Sequence, residues 1–298
     1  MAMSSRVLDQ ERRGGSKWYT DWQSRDHAIS FDFRHTLADR NLVCNYESFN
    51  DVRLLTERVD RQRELVLLEV GCATGDFYRY LSLKFPRILY YGLDISEPAI
   101  RRAQEKFPRG RFAVTEPDSK LLDAADNMGM PHRAEIVYAK DVVHHQTRPL
   151  EFLSELLDAA GEALILRCRT RDVGETEYDP EQSCQYHYGG WMPYIVSNLD
   201  ELISHIRGQA PEAEIVVYRH RMVLGGQHNR CLPKDCYLKE TGTAETAVGV
   251  FKVTATPGRV MIEDRVDQNP RYTLYFRLRR LLGPLVRAAL RPRRDRRR

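Results

Sequence analysis

From Glu64 to Cys168 the chain alternates short, unbroken apolar runs with longer amphipathic segments. "ELVLLEV" is followed by "DFYRYLSLKF", "ILYYGLD" by "EPAIRRAQEKF", and "AEIVYA" by "PLEFLSELLDAA", ahead of "EALILRC". "RFAVTE" is a further short run between the second and third units. Apolar runs without polar alternation fit strands covered on both faces. The longer segments carry apolar residues at helical spacing, as Leu150, Leu153, Leu156 and Leu157 do. Repeated strand–helix units of this kind build a mostly parallel sheet with helices on both faces. Ligands of such sheets bind beyond the carboxyl ends of the strands. The loops after residues 70, 93, 115 and 139 are therefore expected to surround one crevice.

The punctuation agrees. Ser96 is placed to cap the helix of "EPAIRRAQEKF", and Pro98 falls in its first turn, where a missing N–H costs little. Residues 1–62 read as a helical and irregular cap, polar over 1–15 and aromatic at Trp18, Tyr19 and Trp22. That cap is expected either to cover the crevice or to pack on the sheet. The core spans 63–256 and includes a polar and aromatic insert over 170–197. "NLDELISHI" reads as a helix, and "AEIVVYRHRMV" and "TAVGVFKVTATP" as two strands able to pair antiparallel at the sheet edge. A loop over 225–244 separates them. Residues 257–298 form a basic tail, and no internal repeat is found.

The turn in "LLEVGCATGDFYRYL" decides what the crevice holds. A nicotinamide fingerprint needs G-x-G-x-x-G, but the corresponding positions are Gly71, Ala73 and Asp76. Two carboxylates, Glu69 and Asp76, flank the turn, so a pyrophosphate there would meet like charge. No Gly-Lys-Ser/Thr follows, which excludes a phosphate-binding P-loop. A cofactor without phosphate and with positive charge removes the conflict. S-adenosylmethionine carries a sulfonium and an ammonium that Glu69 favours, and Gly71 and Gly75 let the backbone approach closely. Asp94 ends the next apolar run in "YYGLDIS", where a carboxylate can accept from two ribose hydroxyls.

"LLEVGCATG", "YGLDIS" and "AEIVYAKDVVHHQTRPLEFLSELL", in this order and spacing, resemble the class I S-adenosylmethionine-dependent methyltransferase family over about residues 64–170. Ala73 is a departure, since many members have a second glycine there. The resemblance implies a Rossmann-like α/β fold with a seven-stranded, mostly parallel sheet whose last strand is antiparallel. It implies that Gly71, Cys72, Ala73 and Gly75 line the cofactor, that Asp94 binds ribose and that Ile95 packs on adenine. The loop from Glu116 to Asp118 would contact the adenine amino group, with Asp118 taken among the cofactor residues. Lys140, after the fourth strand, would lie near the methionine end.

Methyl transfer is an in-line displacement with a neutral thioether leaving, so alignment does most of the work. A hydroxyl acceptor also needs a base, worth about 10²–10⁴-fold. His144 and His145 in "DVVHHQ" follow the fourth strand and are the first candidates, His145 ahead; packing at a helix start is the other reading of the pair. His187 is a third candidate. It stands in "CQYHYGGWMPY", where Tyr186, Tyr188 and Trp191 offer aromatic faces and hydroxyls to a small-molecule, sugar or glycan acceptor, or pack as a lid. Cys184, His187, Cys231 and Cys236 lack a standard zinc spacing, and no metal is expected. The leading function is O-methylation of such an acceptor. A nucleic-acid methyltransferase is disfavoured, because "AKDVVHH" stands where base N-methylating enzymes carry Asn/Asp-Pro-Pro-aromatic. A non-catalytic cofactor-binding subunit is the third reading.

Charge adds a question of location. The net charge is +4, yet Arg271 to Arg298 alone hold eleven arginines against one acid, so the body is mildly acidic. The tail mixes these arginines with apolar residues, which suits an anionic membrane surface, a nucleic acid or plain solvation; Pro284 interrupts its helical spacing. Six scattered cysteines do not form a disulfide framework, and "MAMSSRVLDQERRGG" has no apolar core for a secretory signal. A cytoplasmic protein is expected, with plain solvation of the tail as the first reading and peripheral membrane contact as the second.

Overall fold

The apolar run ahead of the turn becomes strand β1 (Leu65–Val70), buried along its whole length. Its side chains alternate between faces: Val66, Leu68 and Val70 enter one core cluster, Leu65 and Leu67 the other. The structure, a computed structural model, describes residues 38–267 apart from 117–119, 132, 188–189 and 227–228. The aromatic cluster at Trp18–Trp22 and the Arg-rich tail lie outside the described residues.

The further strands are β2 (Ile88–Asp94), β3 (Arg111–Val114), β4 (Ala134–Lys140), β5 (Ala160–Arg171), β6 (Cys184–His187), β7 (Gly190–Pro193), β8 (Ser197–Asn198), β9 (Glu214–Arg221), β10 (Arg230–Cys231), β11 (Ala244–Phe251) and β12 (Val260–Asp264). The helices are α1 (Asp39–Tyr46), α2 (Asn50–Arg58), α3 (Asp76–Lys84), α4 (Glu97–Lys106), α5 (Leu121–Asp126), α6 (Pro149–Ala159) and α7 (Leu199–Gln209).

The main sheet runs β12-β9-β11-β5-β4-β1-β2-β3. Neighbours from β3 to β5 are parallel, and β11 is antiparallel to both β5 and β9. This is the expected α/β sheet with its antiparallel last strand. Two additions bring it to nine strands among the described residues: short β8 beside β5, and β12 parallel to β9. β12 lies past residue 256, so ordered sheet continues into the stretch expected to be tail.

One face is covered by α5, α6 and α7 through Leu121, Leu153, Leu156, Leu202 and Ile206. The other is covered by α1 to α4 through Leu42, Leu54, Leu55, Phe77, Tyr80 and Ile100. Ser96 caps α4 as read: its hydroxyl accepts from the Ala99 N–H at 3.3 Å. A second, three-stranded sheet, β10-β6-β7, is built from the insert and from the 225–244 loop. Among the described residues no helix is long and apolar enough to cross a membrane.

Candidate active site

The turn after β1 is held by backbone bonds to the next strand. The N–H groups of Gly71 and Cys72 both donate to the Leu93 carbonyl, at 2.8 and 3.0 Å. Gly71 has φ +82°, and a Cβ there would stand 2.3 Å from Val142 Cγ2. Only glycine fits both demands. Ala73 takes φ +47° with a side chain in place, a conformation costing an L-residue about 1–2 kcal/mol. Its N–H donates to Asp94 Oδ2 at 2.8 Å, and the Ser96 N–H donates to Asp94 Oδ1 at 2.9 Å. Asp94 is thus the clasp between the turn and the start of α4, and it is 7% exposed.

These elements open on a cavity of about 370 Å³, within the range of small-molecule sites. Glu69, Gly71, Cys72, Ala73, Asp94, Ile95 and Lys140 of the sequence-read set line it, as do His144, His145 and His187. Gly75 does not: it caps α3 at φ +78°, and a Cβ on it would press on Phe112. Asp118 and Tyr188 lie outside the described residues. Tyr186 and Trp191 do not line the cavity. They are register partners across β6 and β7 and meet edge to face at 5.4 Å, while the alternate residues Gln185, His187 and Met192 line it. The period of two in a hairpin forces this choice, so Gln185 and Met192, rather than the expected Tyr186 and Trp191, face the cavity.

Electrostatics divide the site. At the turn end, burial pushes the Glu69 carboxyl up to about 8, the charges of Asp94 and Asp76 add to this, and the hydrogen bond from the Tyr90 hydroxyl opposes it. Lys140 does not project freely: its Nζ sits 3.5 Å from the centre of the Phe49 ring and 3.8 Å from Asp51. Beyond β4, Asp141 adopts φ +57°. Burial alone would raise its carboxyl, but Arg167 and Arg169 overcome this and hold it below the ordinary carboxylate range. Arg169 Nη1 lies 2.9 Å from Asp141, and Arg169 Nε donates to the Tyr194 hydroxyl at 2.9 Å.

The histidines sit in a single 3₁₀ turn, Val143–His145. His144 is 1% exposed; burial, then the neighbouring His145, hold its pKa well below the usual value. Its Nδ1 has no partner among the described residues, and its backbone carbonyl accepts from the Ile195 N–H at 2.8 Å. His145 is different. Burial lowers it to about 4, and its Nδ1 lies 2.8 Å from the Pro193 carbonyl. A carbonyl only accepts, so Nδ1 carries the proton and Nε2 of the neutral ring keeps its lone pair. Tyr194 packs on both rings, at 5.1 and 5.8 Å.

Several lining residues carried little sequence signal. Arg169 belongs to the "RCRTR" end of β5, and Arg230 to the loop between β9 and β11. Gln185 and Met192 were hidden beside aromatics. Cys184 and Cys231 are register partners on β6 and β10, whereas the Cys236 sulfur lies 3.7 Å from Arg171 Nη1. Among the described residues no group of three or more His, Cys, Asp or Glu is placed to hold a metal.

A family model described as a methyltransferase domain matches residues 68–162, from β1 into β5. That span, about a third of the chain, is a methyltransferase domain. The matched span holds the turn, Asp94, Lys140 and the two histidines, and stops short of the insert. Comparison with curated proteins finds no match. Among solved structures the chain is similar to an S-adenosylmethionine-dependent methyltransferase of Aquifex aeolicus, at 18% identity and TM-score 0.41, over 70% of this chain and 93% of that one. It is similar to the plantazolicin methyltransferase BpumL in complex with S-adenosylhomocysteine, at 17% identity and TM-score 0.46, over 83% and 96%. It is also similar to the [4+2]-cyclase SpnF, at 12% identity and TM-score 0.45, over 68% and 80%.

Proposed function

We propose that this protein uses S-adenosylmethionine to methylate a hydroxyl of a small-molecule or sugar acceptor, with His145 as the base. The reading is carried by one observation: the Asp94-clasped turn and the His145 imidazole open into the same cavity. The residues present fit the cofactor. Asp76 and Asp94 gather carboxylates at the turn, beside the Glu69 carboxyl that a bound cation would ionise, which repels phosphate and favours a cation and hydroxyl donors. Gly71 to Ala73 would follow the methionine part, Asp94 would accept from the ribose, and Ile95 would face the adenine. When bound, S-adenosylmethionine supplies an electrophilic methyl group.

The chain's own residues then do two things. The Pro193 carbonyl holds His145 as the tautomer whose Nε2 can take a hydroxyl proton, and burial keeps the ring neutral near pH 7. The small sheet, through Gln185 and Met192, would wall the acceptor side of the cavity. Calorimetry with S-adenosylhomocysteine is the direct test. Saturable binding, weakened by Asp94→Ala, supports the reading. No binding by folded protein would overturn it in favour of a partner subunit without methyl transfer.

A further inference from the structure

Three cations line the cavity: Lys140, Arg169 and Arg230. Two are already neutralised. Lys140 lies 3.8 Å from Asp51, and Arg169 has Asp141 at 2.9 Å and Glu245 at 3.2 Å. Arg230 has no carboxylate within 4.0 Å among the described residues. Its guanidinium lies 4.5 Å over the Tyr194 ring, and Nη1 donates to the Leu224 carbonyl at 3.1 Å. Its buried Nε has no partner among the described residues.

The fold puts this arginine where an acceptor would be oriented. β10 pairs Arg230 with Gln185, and β7 pairs Met192 with Gln185, so Met192, Gln185 and Arg230 form one row across the small sheet. All three line the cavity, and His187 lines it from the end of the same hairpin. A guanidinium stays charged at any working pH and offers five donors in a planar fork. Half-buried and short of an anion, it is left with a desolvation cost that a planar oxyanion would offset through paired hydrogen bonds. The turn side of the cavity carries the Asp76 and Asp94 carboxylates and would repel the same oxyanion. Charge thus has a direction: acids where a cationic donor would lie, and an uncompensated cation where the acceptor would lie.

We propose that Arg230, with Gln185 beside it, seats an oxyanion of the acceptor, a carboxylate or a phosphate, and so restricts this site to acidic acceptors. What the seat serves rests on the methyl-transfer reading above; that the seat exists does not.

The test uses the full chain. The side-chain amide signals of Gln185 are followed by NMR while acetate, inorganic phosphate or neutral acetamide is added, with and without S-adenosylhomocysteine. The proposal expects a saturable shift with acetate or with phosphate and none with acetamide; the anion that saturates identifies the group. Arg230→Gln should weaken that anion by about tenfold or more, and Arg230→Lys, which keeps the charge and loses the fork, by less. Thermal midpoints of both variants report the fold. No saturation by either anion, an equal response to acetamide, or unchanged anion affinity in folded Arg230→Gln overturns the proposal. Absence of S-adenosylhomocysteine binding in calorimetry would instead strike the methyl-transfer reading, while the anion titration still decides the seat.

Discussion

Glu69 is a buried acid whose titration should be visible in the stability of the whole molecule. It is 5% exposed, and burial raises it from the ordinary value of 4.5 to about 8. A folded-state pKa above the unfolded value means that the native state holds the proton longer. Stability from this group is full below about pH 4.5 and is lost as pH rises through about 8. Over the full window that amounts to roughly 5 kcal/mol, and between about pH 6 and pH 8 to roughly 2 kcal/mol. Glu69→Gln removes the titration while leaving an oxygen to accept the Tyr90 hydroxyl. Denaturant unfolding of both proteins at several pH values gives the difference directly. The variant should gain on the wild type by roughly 2 kcal/mol between about pH 6 and pH 8. A difference independent of pH over that range would refute the account of Glu69 as a carboxyl held protonated by burial.

The same carboxyl should couple to the cofactor: only its ionised form attracts a sulfonium, so S-adenosylmethionine affinity should rise about tenfold from pH 7 to pH 9 with proton release on binding, read by calorimetry in two buffers. Asp94→Ala should weaken S-adenosylhomocysteine by more than about tenfold. It should also cost stability, because the buried Ser96 N–H loses its acceptor, at about 1–3 kcal/mol, and the part-buried Ala73 N–H loses the same carboxylate; unchanged affinity would remove the ribose assignment. His145→Ala should lower kcat about 10²–10⁴-fold on a hydroxyl acceptor at unchanged cofactor affinity. In the wild type, the acid limb due to His145 should fall only as pH drops through about 4, and a limb near pH 6.5 would contradict the buried, neutral ring. Gly71→Ala should destabilise by at least about 1–2 kcal/mol through its positive φ, and Val142→Ala should relieve the part that comes from the 2.3 Å approach.

The sheet from β1 to β5 was legible because both of its signals are local. Continuous apolar runs fix strands buried on both faces, and the Ser96–Pro98 start fixes a helix end. The turn was legible for the same reason: two glycines, an acid before them and an acid ending the next strand lie in one strand–turn–helix–strand unit. Gly75 was half read. Its conformation needs glycine, but what it meets is Phe112 rather than the cavity. Tyr186 and Trp191 do not line the cavity because the hairpin's alternation, and not aromatic content, decides which residues face inward. That alternation was present in "CQYHYGGWMP", but its phase depends on pairing with β10, which lies some forty residues on.

A deeper reason separates the two ends. Along β5, Arg167, Arg169 and Arg171 leave the strand on one face, and all three are buried. A run of arginines looks like the end of a buried strand, because an unpaired buried cation is prohibitive. Here each finds its partner on a different element. Arg167 meets Asp141 after β4, Glu245 on β11 and Asp267 after β12. Arg169 meets Asp141, Glu245 and the Tyr194 hydroxyl. Arg171 meets Asp235, in the loop between β10 and β11. Arg167 and Asp267 are both buried, and breaking such a pair from one side costs about 3–5 kcal/mol; the row ties these elements to β5 and sets where Tyr194, and through it the two imidazoles, can sit. The cofactor end is built mainly from backbone groups within one local motif, and its chemistry can be read from spacing. The side built on the small sheet depends on charges that meet only after distant segments have paired, so Arg230, with no carboxylate within 4.0 Å among the described residues, stands out only once Arg167, Arg169 and Arg171 have been matched.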